Sequence, residues 1–150
     1  MEVSEFAKNL LLGSRLEDKL FRPSGLEDNT PKAAFKVPKY PGRPKYLKFE
    51  DPRKPVSFPA VGQLSSEFCR GQILHFFANH ELLAIELMAL SLLKFPQANK
   101  KFRADTVKTI LEEQSHLRLY LARMQELGVE FGDIPVNEFF WSSLHGMPSV

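Results

Sequence analysis

Two long segments with helical periodicity, within residues 64–127, constrain the fold of this chain more than any other feature. Ser65 and Ser66 are suitable N-caps for the first segment, and Pro96 ends it. A short turn follows, and the second segment ends at Gly128, a residue type favoured at helix C-termini. Each helix would have about 28 residues and a length of roughly 40 Å. Helices of this length are typical of four-helix bundles, so we expect an all-α fold built on a long antiparallel hairpin.

Two glutamates interrupt the otherwise apolar faces of these helices. At roughly heptad spacing the first helix presents Ile73, Phe77, Glu81, Ala84, Met88, Leu92 and Phe95. The second helix presents Ile110, Glu113, Leu117, Tyr120, Met124 and Leu127. The turn centres near residue 97, and Glu81 and Glu113 each lie sixteen residues from that point. An antiparallel hairpin would therefore place the two carboxylates side by side.

His116 follows Glu113 by one helical turn, within the sequence "EEQSHLRLYL". Two carboxylates that face each other in apolar surroundings repel, and one must hold a proton unless a cation lies between them. A divalent cation would remove the repulsion and gain the imidazole as a third ligand. A Glu on one helix and Glu-x-x-His on the next is the arrangement of di-iron and di-manganese bundles. We therefore predict Glu81, Glu113 and His116 as metal ligands; a hydrogen-bonded Glu–His pair in the core and an exposed helix edge are the alternatives.

His80 and Glu86 are candidates for orienting these ligands or replacing one of them. His80 adjoins Glu81 but points about 100° away from it, because an α-helix has about 3.6 residues per turn. Glu86 would lie about 7–8 Å from Glu113 along the helix axis. That is too far to share one undistorted ion site, because carboxylate–metal bonds are only about 2.0–2.2 Å long. Glu86 is therefore expected to orient the site or to face solvent.

The N-terminal part of the chain has a different character. Residues 3–20 carry a short helical pattern that Gly13 interrupts. Residues 22–63 contain eight of the eleven prolines, a density that excludes both a helix and a central strand. We expect an extended, proline-rich arm that wraps a helical body and is anchored by its aromatic residues. This divides the chain into residues 1–63 and a helical unit at residues 64–150.

Positive charge is concentrated in this arm. Residues 32–54 contain eight basic and two acidic residues, a net charge of +6, whereas the rest of the chain sums to −4. The basic residues are Lys32, Lys36, Lys39, Arg43, Lys45, Lys48, Arg53 and Lys54. Because aromatic residues are interleaved with them, RNA binding through the arm is an alternative to a purely structural role.

The sequence shows no sign of export or of membrane insertion. Its N-terminus lacks the basic and apolar regions of a signal peptide. The longest apolar stretch, "ELLAIELMALSLL", includes two glutamates and is too short to span a bilayer. The one cysteine, Cys69, excludes an internal disulfide. We therefore expect a cytoplasmic protein without membrane contact.

Several motifs resemble those of one known family. They are the stretches "HFFANHELLAIELMALSLLKFP", "LEEQSHLRLYLARMQELG" and "FGDIPVNEFFW", and "PGRP" in the arm. Through these motifs the chain resembles a ferritin-like family known only as a domain of unknown function. The resemblance extends over nearly the whole chain. It implies a ferritin-like bundle with metal ligands at Glu81, Glu113 and His116, but it identifies no substrate. That family is similar to other ferritin-like bundles, including a tRNA hydroxylase, so the expected substrate is a small molecule or a tRNA.

The resemblance also implies an activity and a partner. The protein would be an O₂-dependent oxidase or hydroxylase with a di-iron centre, or manganese, in which Glu113 bridges and Glu81 and His116 are terminal ligands. The chain has one Glu-x-x-His motif, where a complete bundle has two. We therefore expect half of a ferritin-like four-helix bundle, completed by a second copy in a homodimer or by a missing C-terminal helix pair. A non-catalytic helical module for protein–protein interaction is the alternative function.

A hairpin without that partner would leave an apolar surface in water. The residues expected on it are Ile73, Phe77, Met88, Leu117 and Tyr120. Burial of such a surface stabilises a protein by about 25 cal/mol for each Å² removed from water. The hairpin is therefore expected to associate through this surface.

Overall fold

The chain folds mainly into α-helices in a computed structural model, which describes residues 1–29, 33, 35–49 and 58–143. The helices are α1 (Val3–Leu12), α2 (Leu16–Leu20), α3 (Glu67–Lys94), α4 (Lys100–Glu126) and α5 (Phe139–Ser142). Short 3₁₀ turns lie at Lys45–Leu47 and Val61–Gln63. Within the described residues, β-type pairing is confined to two isolated bridges. The predicted all-α fold is thereby confirmed.

The long antiparallel hairpin of α3 and α4 begins and ends close to the predicted positions. The Ser66 hydroxyl caps α3 by accepting the Cys69 N–H at 3.4 Å. The Asn99 side chain caps α4 by accepting the Phe102 N–H at 2.9 Å. Gly128 follows α4 with a φ of 75°, a left-handed conformation that glycine adopts at little cost. These local signals explain why the two helices reach lengths of 28 and 27 residues.

Helix α1 packs against the hairpin and extends its apolar core. It lies on α3 and buries Phe6, Leu10 and Leu11 completely. Full burial of one such side chain stabilises the fold by about 1.5–3 kcal/mol. Gly13 separates α1 from α2, and a Cβ at this position would lie 2.4 Å from the Cβ of Asp18. The predicted interruption of the N-terminal helical pattern is confirmed.

The described part of residues 22–63 contacts both the hairpin and the residues that follow α4. Leu47 is fully buried, and Phe49 forms an isolated parallel bridge with Val136. The indole N–H of Trp141 donates to the carbonyl oxygen of Lys39 at 2.7 Å. These contacts hold the segment against the helices where it is described.

The predicted basic surface is smaller than the sequence suggests. Arg43 is buried and paired with Glu86, which removes it from any surface that could contact RNA. Within residues 32–54, the exposed basic residues that the structure describes are Lys36, Lys39, Lys45 and Lys48. Lys32, Arg53 and Lys54, and the prolines at positions 31, 52 and 55, lie outside the described residues.

Among the helices of the described residues, α3 is the one that is long and apolar enough to cross a membrane. However, 56% of its most apolar window is buried inside the molecule. A core helix of a soluble protein has the same length and composition. The structure is therefore compatible with a soluble protein.

Candidate metal centre

The structure brings Glu81, Glu113 and His116 together midway along the hairpin. One ligand atom from each side chain lies within 4.8 Å of the other two. The two glutamates are equally far from the turn, because 13 positions separate Glu81 from the end of α3 and 13 separate the start of α4 from Glu113. Antiparallel packing therefore sets them level with each other. The predicted juxtaposition is present, and the role of these residues as ligands stays a prediction.

Hydrogen bonds link the three side chains. The Nδ1 atom of His116 lies 3.0 Å from Oε2 of Glu113. The pKa of Glu81 is raised to about 7, mainly by burial. A hydrogen bond to Glu113 and the negative charge of Glu113 raise it further. The hydrogen bond from Glu81 lowers the pKa of Glu113, and the hydrogen bond to Glu113 raises the pKa of His116. Near neutral pH the cluster therefore holds protons that a bound cation would displace.

The donor set fits a divalent transition metal. Two carboxylates and one imidazole suit iron, manganese or zinc better than calcium, which prefers oxygen ligands alone. Glu81 and Glu113 lie close together without a cation only because a proton is held between them, and a divalent ion in its place would attract both carboxylates. Three protein donors would leave coordination positions for water, a substrate or further protein ligands.

The three donors lie on a partly exposed surface of the hairpin, which we call the donor face. It consists of Ile73, Phe77, Glu81, Ala84 and Met88 of α3 and Glu113, His116 and Tyr120 of α4. Phe77 is 42% exposed, and its ring centroid lies 6.1 Å from that of Tyr120. Leu117 differs from the prediction, because it is fully buried and belongs to the buried line of α4 with Ile110 and Met124.

His80 lies beside the donor face, in an aromatic cluster. Its ring centroid is 4.4 Å from that of Phe76 and 4.8 Å from that of Phe140. Burial lowers its pKa, which favours the neutral ring. Within the described residues, the group of converging ligand atoms comprises Glu81, Glu113 and His116 without His80. His80 therefore contributes packing next to the site, and its predicted part in orienting or replacing a ligand stays a prediction.

Glu86 belongs to a separate and fully buried ion cluster. Its Oε2 lies 3.0 Å from Nζ of Lys19, and its Oε1 lies 2.5 Å from Nη2 of Arg43. Lys19 also donates to the carbonyl oxygens of Leu10 and Leu11. The expectation that Glu86 orients the donors, replaces one or faces solvent is therefore corrected, because cations hold both of its oxygens. Glu86 instead joins α2 and the segment around Arg43 to α3.

His75 has a structural role that the sequence did not reveal. It is buried, and its Nε2 accepts the backbone N–H of Gly132 at 3.0 Å. Burial lowers its pKa, which keeps the ring neutral as an acceptor nitrogen requires. One turn later, the Asn79 amide donates to the carbonyl oxygen of Asn137 at 3.3 Å. The sequence signal for this pair was two polar residues spaced by four within an apolar helix.

A family model covers almost the whole chain. The model, described as "Protein of unknown function (DUF455)", matches residues 5–148. The matched range includes both long helices and the three donors. No curated protein and no solved structure matches the chain.

Proposed function

Because the chain belongs to the DUF455 family of proteins of unknown function, we propose its activity from the site itself. The protein is a ferritin-like carboxylate protein that binds iron, or alternatively manganese, through Glu81, Glu113 and His116. The observation that carries this proposal is the convergence of their three ligand atoms within 4.8 Å. A divalent cation would displace the proton that the two closely spaced carboxyls share, and both carboxylates would attract it.

The ferritin-like part of the proposal rests on the hairpin. Ferritin-like sites take a Glu from one helix and a Glu-x-x-His motif from its neighbour, and they use two such helix pairs. Helix α3 supplies Glu81, and α4 supplies Glu113 and His116 at the required spacing. The hairpin would therefore be half of a four-helix bundle, with the donor face directed toward the other half.

The side chains of this chain would bind the reactants and exclude water. Glu81 and Glu113 would release their shared proton when a cation binds, and His116 would complete the donor set. Bound iron would supply O₂ activation for oxidation or hydroxylation of a substrate, which we propose to be a small molecule or a tRNA. Phe77 and Tyr120, one turn from the donors, would keep one side of the site dry. We place this chemistry in the reducing cytoplasm, where the free Cys69 persists.

The metal content of matched variants tests the proposal. The wild-type chain, Glu113→Gln and His116→Ala are purified from cultures supplemented with iron or manganese, and bound metal is measured by mass spectrometry. Binding constants follow from Mn(II) titrations monitored by electron paramagnetic resonance. We expect each ligand variant to bind at least about tenfold more weakly than the wild type.

Glu112→Gln is the matched control for these variants. Glu112 adjoins Glu113 but lies on the exposed side of α4, 3.8 Å from Nζ of Lys108. Its replacement changes the same charge without removing a donor, so it should bind metal like the wild type. Equal metal affinity in all four proteins would reject the proposed site.

A non-catalytic interaction protein is the second candidate function, and the partly exposed donor face favours it. An apolar surface such as that of Phe77 and Tyr120 marks an association site in many soluble proteins. In that case the folded chain would hold no stoichiometric metal, and Glu113→Gln would bind the protein partner like the wild type. Metal analysis therefore separates the two functions.

RNA binding through the basic arm is a third candidate, which the four exposed lysines of the described segment favour. Phosphate contacts make such binding weaken steeply as salt concentration rises. An RNA mobility-shift assay at increasing salt tests it. An RNA affinity that does not change with salt concentration would argue against a role for these lysines.

A further inference from the structure

Three residues of α3 hold the part of the chain that follows α4. They are Gly71, His75 and Asn79, which are spaced by four and therefore lie on one side of the helix. All three are buried. They contact residues 129–142, which we call the docked segment and which end in α5. The docked segment contains the motif "FGDIPVNEFFW", for which the proposed metal site gives no role.

The contacts of Gly71 and His75 fix the path of the docked segment. A Cβ at Gly71 would lie 2.5 Å from Cγ2 of Val129, so the backbone of α3 approaches this side chain closely. One turn later, Nε2 of His75 accepts the N–H of Gly132 at 3.0 Å. An imidazole nitrogen accepts a hydrogen bond only when it carries no proton. Docking therefore depends on the protonation state of His75.

Protonation of His75 would remove this acceptor. Both ring nitrogens of an imidazolium are donors, so Nε2–H would then face the N–H of Gly132. The side chain is only 2% exposed, and its ring centroid lies 5.2 Å from that of Phe131, so the new charge would also lack water. Burial accordingly lowers the pKa of His75, although the carboxylate of Asp133 partly opposes this effect.

Little charge surrounds His75 within the part of the chain that the structure describes. In the docked segment, Glu130 and Asp133 belong to one turn, in which Oδ2 of Asp133 accepts the N–H of Glu130 at 2.8 Å. Tyr46 packs on this turn from the proline-rich segment, and α4 contributes the apolar Leu127. The other residues that line the cavity beside His75 are uncharged. Asp133 is therefore the charged group that acts on His75 from the docked segment.

We propose that His75 is a pH-sensitive switch and that protonation of its ring releases the docked segment from α3. Release would take Phe140 away from His80, beside the donor face, and would open the bridge between Phe49 and Val136. The docked state binds fewer protons than the released state. Docking is therefore complete above about pH 6.5, the ordinary pKa of histidine, and weakens as pH falls below it. The switch goes beyond the proposed function, because it requires no metal.

Amide hydrogen exchange, measured for single residues by NMR, tests the switch on the full chain. The wild type is compared from about pH 7.5 to about pH 5 with a chelator present. Below about pH 6.5 the protection factor of the Gly132 amide should fall by up to about tenfold for each pH unit, the limit for one proton. Emission of Trp141, the one tryptophan of the chain, should shift to longer wavelength over the same range, because its indole is buried in the docked state.

His75→Gln replaces the imidazole with an amide that does not titrate and that keeps an acceptor oxygen. The protection factor of Gly132 should therefore stay constant over this pH range. His80→Gln is the matched control, because His80 lies on the same helix, packs against α5 and also has a pKa that burial lowers. Its Gly132 amide should respond to pH like that of the wild type.

A second variant leaves His75 in place. Asp133→Asn removes the carboxylate that favours protonation of His75. Asparagine keeps a side-chain oxygen for the N–H of Glu130, so the turn can still form. The pH at which half of the docked segment is released should therefore move to a lower value.

Three outcomes would overturn the switch. They are a Gly132 protection factor that does not change with pH in the wild type, an unchanged pH response in His75→Gln, and a response that His80→Gln abolishes. If His75→Gln prevents docking at every pH, Asp133→Asn decides, and an unchanged midpoint would then overturn the switch. None of these results bears on the metal site, because all exchange is measured without metal.

Discussion

At the scale of single residues, Glu86 is the side chain that ties the N-terminal part of the chain to the hairpin. Its carboxylate pairs with both Lys19 and Arg43 in a fully buried cluster. Loss of one partner from a buried ion pair costs about 3–5 kcal/mol, because the remaining charge stays buried without compensation. Glu86→Gln should therefore lower the free energy of unfolding by about 3–5 kcal/mol in urea denaturation.

Glu112→Gln is the control for Glu86→Gln. It removes an exposed carboxylate of the hairpin, whose pairing with Lys108 contributes about 0–1 kcal/mol. If Glu86→Gln lowers the free energy of unfolding by only about 0–1 kcal/mol, the stabilising role of the buried cluster is contradicted.

Glu81 should make the stability of the metal-free chain depend on pH. Its folded carboxyl keeps a proton up to a pKa of about 7, whereas the ordinary value is 4.5. Between these values the folded chain binds more protons than the unfolded chain, so the free energy of unfolding falls as pH rises. In urea denaturation with a chelator, from about pH 5 to about pH 8, the free energy of unfolding of the wild type relative to that of Glu81→Gln should show this decline.

Glu81→Gln should remove this contribution without abolishing the pH dependence of stability. The remaining pH dependence comes from the histidines: the pKa of His116 is raised by the hydrogen bond to Glu113, whereas burial lowers the pKa values of His75 and His80, which act in the opposite direction. A raised histidine pKa gives stability at low pH that is lost as pH rises, so His116 acts in the same direction as Glu81. Identical pH profiles for wild type and Glu81→Gln would show that this carboxyl keeps its ordinary pKa.

The residues of the donor cluster could be predicted from the sequence, whereas the partners of Glu86 could not. Glu113 and His116 are three residues apart, so they lie on the same side of α4. The short turn between α3 and α4 fixes their position along the helix axis relative to Glu81. Lys19 and Arg43 lie far from Glu86 along the chain, and no periodic pattern connects them. Their meeting depends on how α1 and the following segment dock on α3, which is a property of tertiary packing.

At the scale of elements, the long helices were predictable because their ends carry local signals. Ser66 and Gly128 satisfy backbone groups at the helix ends, and Pro96 follows α3 closely. The proline-rich segment was less predictable. The density of prolines excludes a helix and a central strand, but it does not predict that Leu47 and Arg43 are buried.

Gly42 sets the path of this segment against the end of α1. Its N–H donates to the carbonyl oxygen of Leu11 at 2.8 Å, and a Cβ at this position would lie 2.1 Å from the carbonyl oxygen of Leu12. The backbone cannot move aside as a flexible side chain does. Gly42→Ala should therefore destabilise the chain by roughly 1–3 kcal/mol, measured by thermal denaturation.

Gly62→Ala is the matched control for this substitution. A Cβ at Gly62 would meet no atom within 4 Å, so the replacement should be neutral or slightly stabilising. Equal melting temperatures for the two variants would contradict the close approach of Gly42 to α1.

At the scale of the whole molecule, the hairpin has one covered side and one partly exposed side. The N-terminal helices and the segment around Arg43 pack on the first, and the donor face forms the second. Periodicity predicted part of the donor face, but it placed five further residues on the same helix faces that are buried instead, namely Leu92, Ile110, Leu117, Met124 and Leu127. It could not show which sides of α3 the N-terminal part covers, because residues from several elements decide that together.

The position of a bound metal ion tests the central claim most directly. Crystals grown with Mn(II) or Fe(II) would be measured at the absorption edge of the metal. We predict an anomalous peak within about 2.0–2.2 Å of carboxylate oxygens of Glu81 and Glu113 and of an imidazole nitrogen of His116. A peak that appears at other side chains, or metal-grown crystals in which these three side chains enclose no peak, would contradict the account.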